Sequence, residues 1–125
     1  MRSLIVAATV LVGLVNPAHS QTELEFYILA EGQARQMAPT IGWGYECDIP
    51  ETSQIRLTFA KTMRLLNFSE AEMRVIDAIM TSYVVPGKCD KSSKSAFGDG
   101  VIEVLRLVTE WHDKVAANEY VQQLQ

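Results

Sequence analysis

Apolar side chains recur every three or four residues in four stretches of this 125-residue chain, and that spacing is typical of amphipathic helices. The predicted helices cover, in turn, residues 22–39, 50–66, 69–85 and 95–121. Pro39 is expected to end the first, because proline lacks the N–H that would bond to the preceding turn. Pro50 suits the first turn of the second. The pattern therefore predicts an all-α fold, a small four-helix bundle.

The turn before the third predicted helix carries the clearest local signals. Asn67 tolerates the left-handed conformation that ends many helices. Ser69 and Glu72 form a capping box, in which each side chain accepts from the other residue's backbone N–H. Phe68 and Met73 occupy the positions of a hydrophobic staple. The face predicted to be buried in the preceding helix consists of Ile55, Phe59, Met63 and Leu66.

The first twenty residues have the pattern of a secretory signal peptide. A short basic start precedes an apolar run over residues 4–15, and Ala18 and Ser20 put small residues where a signal peptidase cleaves. The run is about a dozen residues long, too short for the roughly 20 of a spanning helix. We expect cleavage before Gln21, export to the periplasm or the extracellular space, and one helical domain over residues 21–125 without a membrane span.

Two cysteines remain in the predicted mature chain, Cys47 and Cys89. In an oxidising compartment an even pair most simply forms one disulfide. It would close a loop of about 43 residues and contribute roughly 4 kcal/mol in the chain-entropy model. Free thiols or an intermolecular bridge are the alternatives. In an up-down-up-down bundle both cysteines precede helices that begin at the same end, so we expect this disulfide to staple the bundle.

The charge of the chain disfavours two classes of partner. It carries 11 basic and 15 acidic side chains, and the predicted leader contains one of the basic ones, Arg2. Lys88, Lys91 and Lys94 form the one basic cluster, in a serine-rich stretch typical of a solvated loop. Nucleic-acid-binding proteins present a basic patch or stripe, and anionic membranes attract polybasic segments. We therefore expect neither nucleic acid nor a membrane surface as a partner.

The predicted mature sequence offers few groups for catalysis. His112 is its one histidine, without a second imidazole for zinc. Asp99 and Glu103 lie one turn apart opposite an apolar stripe, so a solvated face explains them better than the paired carboxylates of a glycosidase. No motif brings a nucleophile to a base. We expect no enzyme activity, catalytic residue, metal or cofactor, with a carboxylate-dependent hydrolase as the alternative.

Trp43 and Tyr45 are the candidate binding residues. They alternate with glycines in the predicted connection 40–49, close to Cys47. One interpretation is that both rings fold back and plug the open end of the bundle. The other is a binding loop fixed by the disulfide, because aromatic anchors dominate many partner sites and loops on rigid scaffolds commonly carry function.

The segment from Cys89 to Phe97, followed by Val101, resembles the Hde-type periplasmic acid-stress chaperones. In that family a Phe and then a Val follow the second Cys on the last helix, and an aromatic residue precedes the first Cys, as Trp43 and Tyr45 do here. The chain departs from the family in its inter-cysteine spacing, its longer N-terminal helix and its lack of a lysine-rich tail. The resemblance implies a small exported all-helical holdase with one disulfide.

Together these features predict a small exported, non-enzymatic protein that binds another protein. A Hde-like acid-stress holdase is one alternative, and an inhibitor or immunity protein against a secreted enzyme is another. The fourth predicted helix is longer than the others, so its end is expected to overhang and form a homodimer that acid weakens through charge repulsion. The apolar side chains expected on this overhang are Val115, Tyr120, Val121 and Leu124.

Overall fold

The computed structural model describes residues 21–117, with side chains from Glu23 onward, and this part consists of four helices and no strand. The predicted signal peptide, residues 1–20, lies outside the described residues. The all-α fold class is confirmed. The helices are α1 (Gln21–Glu46), α2 (Glu51–Leu65), α3 (Glu70–Met80) and α4 (Lys91–Ala116).

The helices form a bundle in which α1 lies between α3 and α4, and α2 packs mainly against α4. Tyr27 and Phe68, near the starts of α1 and α3, have ring centroids 5.7 Å apart. Tyr83, which follows α3, lies beside Gly42 near the end of α1. These contacts show that α1 and α3 run in the same direction, and the short connections make α2 and α4 run the other way.

The buried core contains the apolar side chains that recur at helical spacing in the sequence. All four residues of the predicted face of α2 are buried, and the ring of Phe59 lies 5.1 Å from that of Trp111 on α4. Burying an aliphatic or aromatic side chain of this size contributes roughly 1.5–3 kcal/mol. The largest fully buried apolar side chains are Phe26, Phe59, Ile41, Ile55, Met63, Ile76, Met80 and Val101.

The start of α3 confirms the predicted capping box. Ser69 Oγ accepts from the Glu72 N–H at 3.1 Å, and Glu72 Oε1 accepts from the Ser69 N–H at 2.8 Å. Asn67 has a φ of 65°, the left-handed conformation expected of it. Phe68 and Met73 are both buried. Residues 66–69 therefore end one helix and start the next through local interactions alone.

The prediction that Pro39 ends the first helix is wrong, because α1 continues to Glu46. Its buried face extends beyond the proline through Ile41 and Gly44. A proline inside a helix costs about 3 kcal/mol of stability. The packing of residues 40–46, the two turns of α1 after Pro39, offsets that cost. Trp43 and Tyr45 consequently lie on the last turns of a helix and not in a loop.

Two glycines in these turns let neighbouring segments approach α1 closely. A Cβ at Gly44 would lie 2.2 Å from Oγ1 of Thr52, and one at Gly42 would lie 2.9 Å from Cδ2 of Tyr83. Both distances are well inside van der Waals contact. Gly32, on the same helix, has no such neighbour, since nothing lies within 4 Å of a Cβ built there.

This difference predicts opposite effects for one substitution at two sites of α1. Gly44→Ala should lower the free energy of unfolding by about 1–3 kcal/mol, the usual cost of overpacking. Gly32→Ala should raise it by up to about 1 kcal/mol, because alanine favours the helix and meets no neighbour. Chemical denaturation of both variants checks the pair. Stabilisation by both substitutions would contradict the path of α1 beyond Pro39.

The later helix boundaries also differ from the prediction. α3 ends at Met80 and α4 begins at Lys91, so residues 81–90 form the longest connection in the described chain. Asp90 caps α4, because its Oδ1 accepts from the Ser93 N–H at 2.7 Å. This hydrogen bond lowers the pKa of Asp90 below its usual value. The cap explains why α4 starts four residues before the predicted Ser95.

The predicted overhang of α4 is wrong for Val115, which packs in the core and is 5% exposed. The last turns of α4 up to Val115 are therefore part of the bundle core. Tyr120, Val121 and Leu124 lie outside the described residues, and the homodimer through this helix stays a prediction.

Candidate functional site

The Cys47–Cys89 disulfide joins two connections at one end of the bundle, as predicted. The two Cα atoms are 5.2 Å apart. Cys47 follows α1 directly, and Cys89 lies in the connection between α3 and α4. The bridge therefore holds together the end of α1, the start of α2 and the start of α4, a region called here the disulfide end.

Trp43 is part of the packing at the disulfide end. Its ring stacks on Phe97 of α4, with centroids 4.5 Å apart and planes 5° from parallel. It is half-buried and packs against the hydrophobic core. Of the two interpretations drawn from the sequence, this geometry favours the plug for Trp43.

Tyr45 differs from Trp43 because 40% of it is exposed. Its hydroxyl accepts from Nη1 of Arg56 at 2.9 Å. The same guanidinium donates to both carboxylate oxygens of Asp77, at 2.8 and 2.7 Å. Asp77 and Tyr45 both raise the pKa of Arg56, which therefore stays charged. This cluster links α1, α2 and α3 and fixes the exposed tyrosine ring in one place.

The connection 81–90 carries the most exposed large apolar side chain in the described chain, Val84, which is 85% exposed. Neighbouring Tyr83 is 36% exposed and packs beside Gly42, one turn before Tyr45 on α1. Tyr45, Tyr83 and Val84 thus share the disulfide end, and we refer to these three residues as the disulfide-end surface.

The connection is anchored on both sides of Val84. On one side, Thr81 Oγ1 donates to the Asp77 carbonyl at 3.0 Å and Ser82 Oγ donates to the Ile79 carbonyl at 2.8 Å. On the other side stand the disulfide and the Asp90 cap. Between them, no backbone–backbone hydrogen bond involves residues 83–89 within the described chain. Residues 83–89 therefore have no backbone partner for their backbone groups in the described chain, and Val84 is exposed between two anchored ends.

Sequence reasoning missed Val84, although a signal for it was present. The predicted third helix, residues 69–85, included Tyr83 and Val84 and ended just before Pro86. The residue before a proline avoids the helical region, which applies to Val85. β-Branched residues also lose side-chain freedom in a helix, so the pair Val84-Val85 before Pro86 favoured an earlier helix end.

The remaining chemical candidates take part in surface contacts. Glu103 pairs with Arg106, which lowers the pKa of that carboxyl below its usual value. Nδ1 of His112 lies 3.3 Å from the adjacent Asp113 carboxylate, and no hydrogen bond joins it to a serine in the described chain. Residues 21–117 also contain no group of three or more potential metal ligands.

Comparisons with protein-family models, with curated proteins and with solved structures found no match. Within residues 21–117, no helix has the length and apolar character needed to cross a membrane.

Proposed function

We propose that this protein is an exported, non-enzymatic module that binds another protein through the disulfide-end surface. The observation that carries the proposal is Val84, which is 85% exposed on a connection anchored at both ends. A scattered exposed apolar residue is ordinary. This one adjoins the partly exposed Tyr83, shares the disulfide end with the exposed Tyr45, and lies in a segment without backbone–backbone hydrogen bonds in the described chain.

The energetics favour binding at this site. Burying a valine side chain against a partner contributes roughly 1.5–3 kcal/mol. Tyrosine is among the residues that dominate binding energy at interfaces. The Arg56 cluster holds Tyr45 and the disulfide holds one end of the connection, which reduces the loss of conformational freedom, one of the main costs of binding.

The compartment follows from the disulfide and the leader. Disulfides persist in oxidising compartments, and the predicted signal peptide directs the chain to one. The partner is therefore an exported or envelope protein of the same cell or its surroundings.

Inhibition of a secreted enzyme is the form of binding that the connection supports best. Its backbone N–H and C=O groups are available to a cleft that accepts an extended chain, as in recognition by strand addition. Val84 would enter a small aliphatic pocket in such a cleft. The fixed ends would hold the segment in place.

Crosslinking at two positions tests the proposed surface. A photoreactive residue replaces Val84 in one variant and Leu65 in the other. Leu65 is the control because it is 50% exposed and lies at the far end of α2. We expect the exported protein to form a discrete adduct with one partner from position 84. Position 65 should give none. An adduct from position 65 alone, or no adduct from either, would contradict the proposal.

A further inference from the structure

A second surface, remote from Val84, lies in the groove between α1 and α4. Its floor is apolar and consists of Met37, Val104, Val108 and Trp111. Three of these side chains are more than nine-tenths buried, and Leu107 on the rim is 50% exposed. The groove has a volume of about 490 Å³, within the 300–1,000 Å³ range typical of small-molecule sites.

The shape of the groove favours a thin ligand over a protein. Most of the apolar floor is already covered by its own neighbours, so little apolar surface remains at the rim apart from Leu107. A stable protein interface buries about 800 Å² on each partner, with several exposed anchors. A groove with one exposed apolar anchor is better suited to a single hydrocarbon chain than to a protein.

The polar groups around the groove indicate the charge of its ligand. Gln33 and Gln36 line it from α1, and Glu110 and Lys114 from α4. Glu110 is already paired with Arg106. Lys114 is exposed and makes no ion pair within the described residues. Lys114 is therefore the cation available to a ligand at one end of the groove, while Arg106 is shared between Glu103 and Glu110.

Trp111 supplies an independent observation. It is 8% exposed and lines the groove, and its indole N–H is buried with no hydrogen-bond acceptor in the described structure. A buried donor without an acceptor is unfavourable, and native structures rarely leave one. Trp111 therefore gives the groove wall a polar group without an acceptor, although the N–H atom itself has almost no exposed surface.

We propose that the α1–α4 groove binds a single-chain amphiphile with a carboxylate head group. The carboxylate pairs with Lys114 and the hydrocarbon chain lies over the apolar floor toward Val104. The ten helical steps from Val104 to Lys114 span roughly 15 Å, room for a medium-length alkyl chain. This site is separate from the disulfide-end surface, and neither proposal depends on the other.

Calorimetric titration of the disulfide-bonded protein with dodecanoate, below its micelle concentration, tests the proposal. We expect saturable 1:1 binding with a Kd below about 1 mM, and weaker binding of dodecyltrimethylammonium. Lys114→Gln should weaken dodecanoate binding about fivefold to tenfold, since a charge-assisted hydrogen bond is lost. It should leave dodecanol binding unchanged. Lys94→Gln, an exposed lysine near the other end of α4, is the matched control.

Leu107→Ser should weaken binding of both dodecanoate and dodecanol, and circular dichroism of each variant verifies the fold. Absence of saturable binding would overturn the proposal. Equal affinity for the carboxylate and the trimethylammonium head group would overturn it as well. So would binding that neither Lys114→Gln nor Leu107→Ser alters. Sedimentation tests the other possible occupant of the groove, a second copy of the chain. A dimer that Leu107→Ser dissociates would assign the groove to that copy and overturn the proposal.

Discussion

Removing the Cys47–Cys89 disulfide should lower the free energy of unfolding by about 4 kcal/mol. The bridge connects residues 42 positions apart in the sequence, so breaking it frees a long loop in the unfolded chain. That loss is a large share of the 5–15 kcal/mol typical of a small domain. Denaturant unfolding of the double variant Cys47→Ala/Cys89→Ala, compared with that of the natural chain, measures this loss in the free energy of unfolding.

Reductant provides the control for this prediction. It should destabilise the natural chain to the level of the double alanine variant and leave that variant unaffected. Far-ultraviolet circular dichroism should keep its helical signal in both, because the helices also pack through the shared hydrophobic core. Two titratable thiols in natively purified protein, or a loss below about 1 kcal/mol, would contradict the stapling role.

Trp43→Ala should lower the free energy of unfolding by about 3 kcal/mol, toward the lower end of the cost for a large aromatic side chain. The ring stacks on Phe97 at 4.5 Å, and its removal leaves a void between α1 and α4. Because the ring is half-buried, the cost is less than that of a fully buried one. Thermal and denaturant unfolding measure it.

Two matched variants separate packing from binding at this site. Trp43→Phe keeps an aromatic ring against Phe97 and should recover much of the lost stability. Tyr45→Phe removes the acceptor of the Arg56 hydrogen bond, at a cost of about 1 kcal/mol. If Trp43→Ala kept the stability of the natural chain but lost partner binding, Trp43 would be a binding anchor and not part of the packing.

Local sequence signals predicted the parts of this fold that local interactions determine. The Ser69 and Glu72 cap, the left-handed Asn67 and the buried face of α2 are confirmed. Each depends on residues within a few positions of one another. The disulfide followed from the compartment and from the order of the helices, which also need no tertiary detail.

The path of α1 could not be predicted in the same way. Pro39 is a strong local stop signal, and it is overridden by packing against residues distant in the sequence. Thr52 lies where only a glycine at position 44 leaves room for it, and Tyr83 lies beside Gly42. Which residues approach these two glycines can be determined only after the helices are placed together.

The candidate site was predicted in part. Trp43 and Tyr45 were located correctly near the disulfide, but their placement in a loop was wrong. The longest connection is the segment 81–90, and its most exposed large apolar residue, Val84, was predicted to lie in the third helix. Val84 was missed because the third helix was predicted to extend to residue 85, so the exposed segment was not recognised as a connection.

The affinity for the partner crosslinked from position 84 tests the central claim, that the disulfide-end surface is the binding site. Val84→Asp should weaken binding by about 30-fold or more, the effect expected of an interface hot spot, with the unfolding free energy unchanged. Leu65→Asp, at the other end of the bundle, should leave the affinity within about threefold of the natural chain, as a position outside the interface does. Equal affinity of Val84→Asp and the natural chain would contradict the claim.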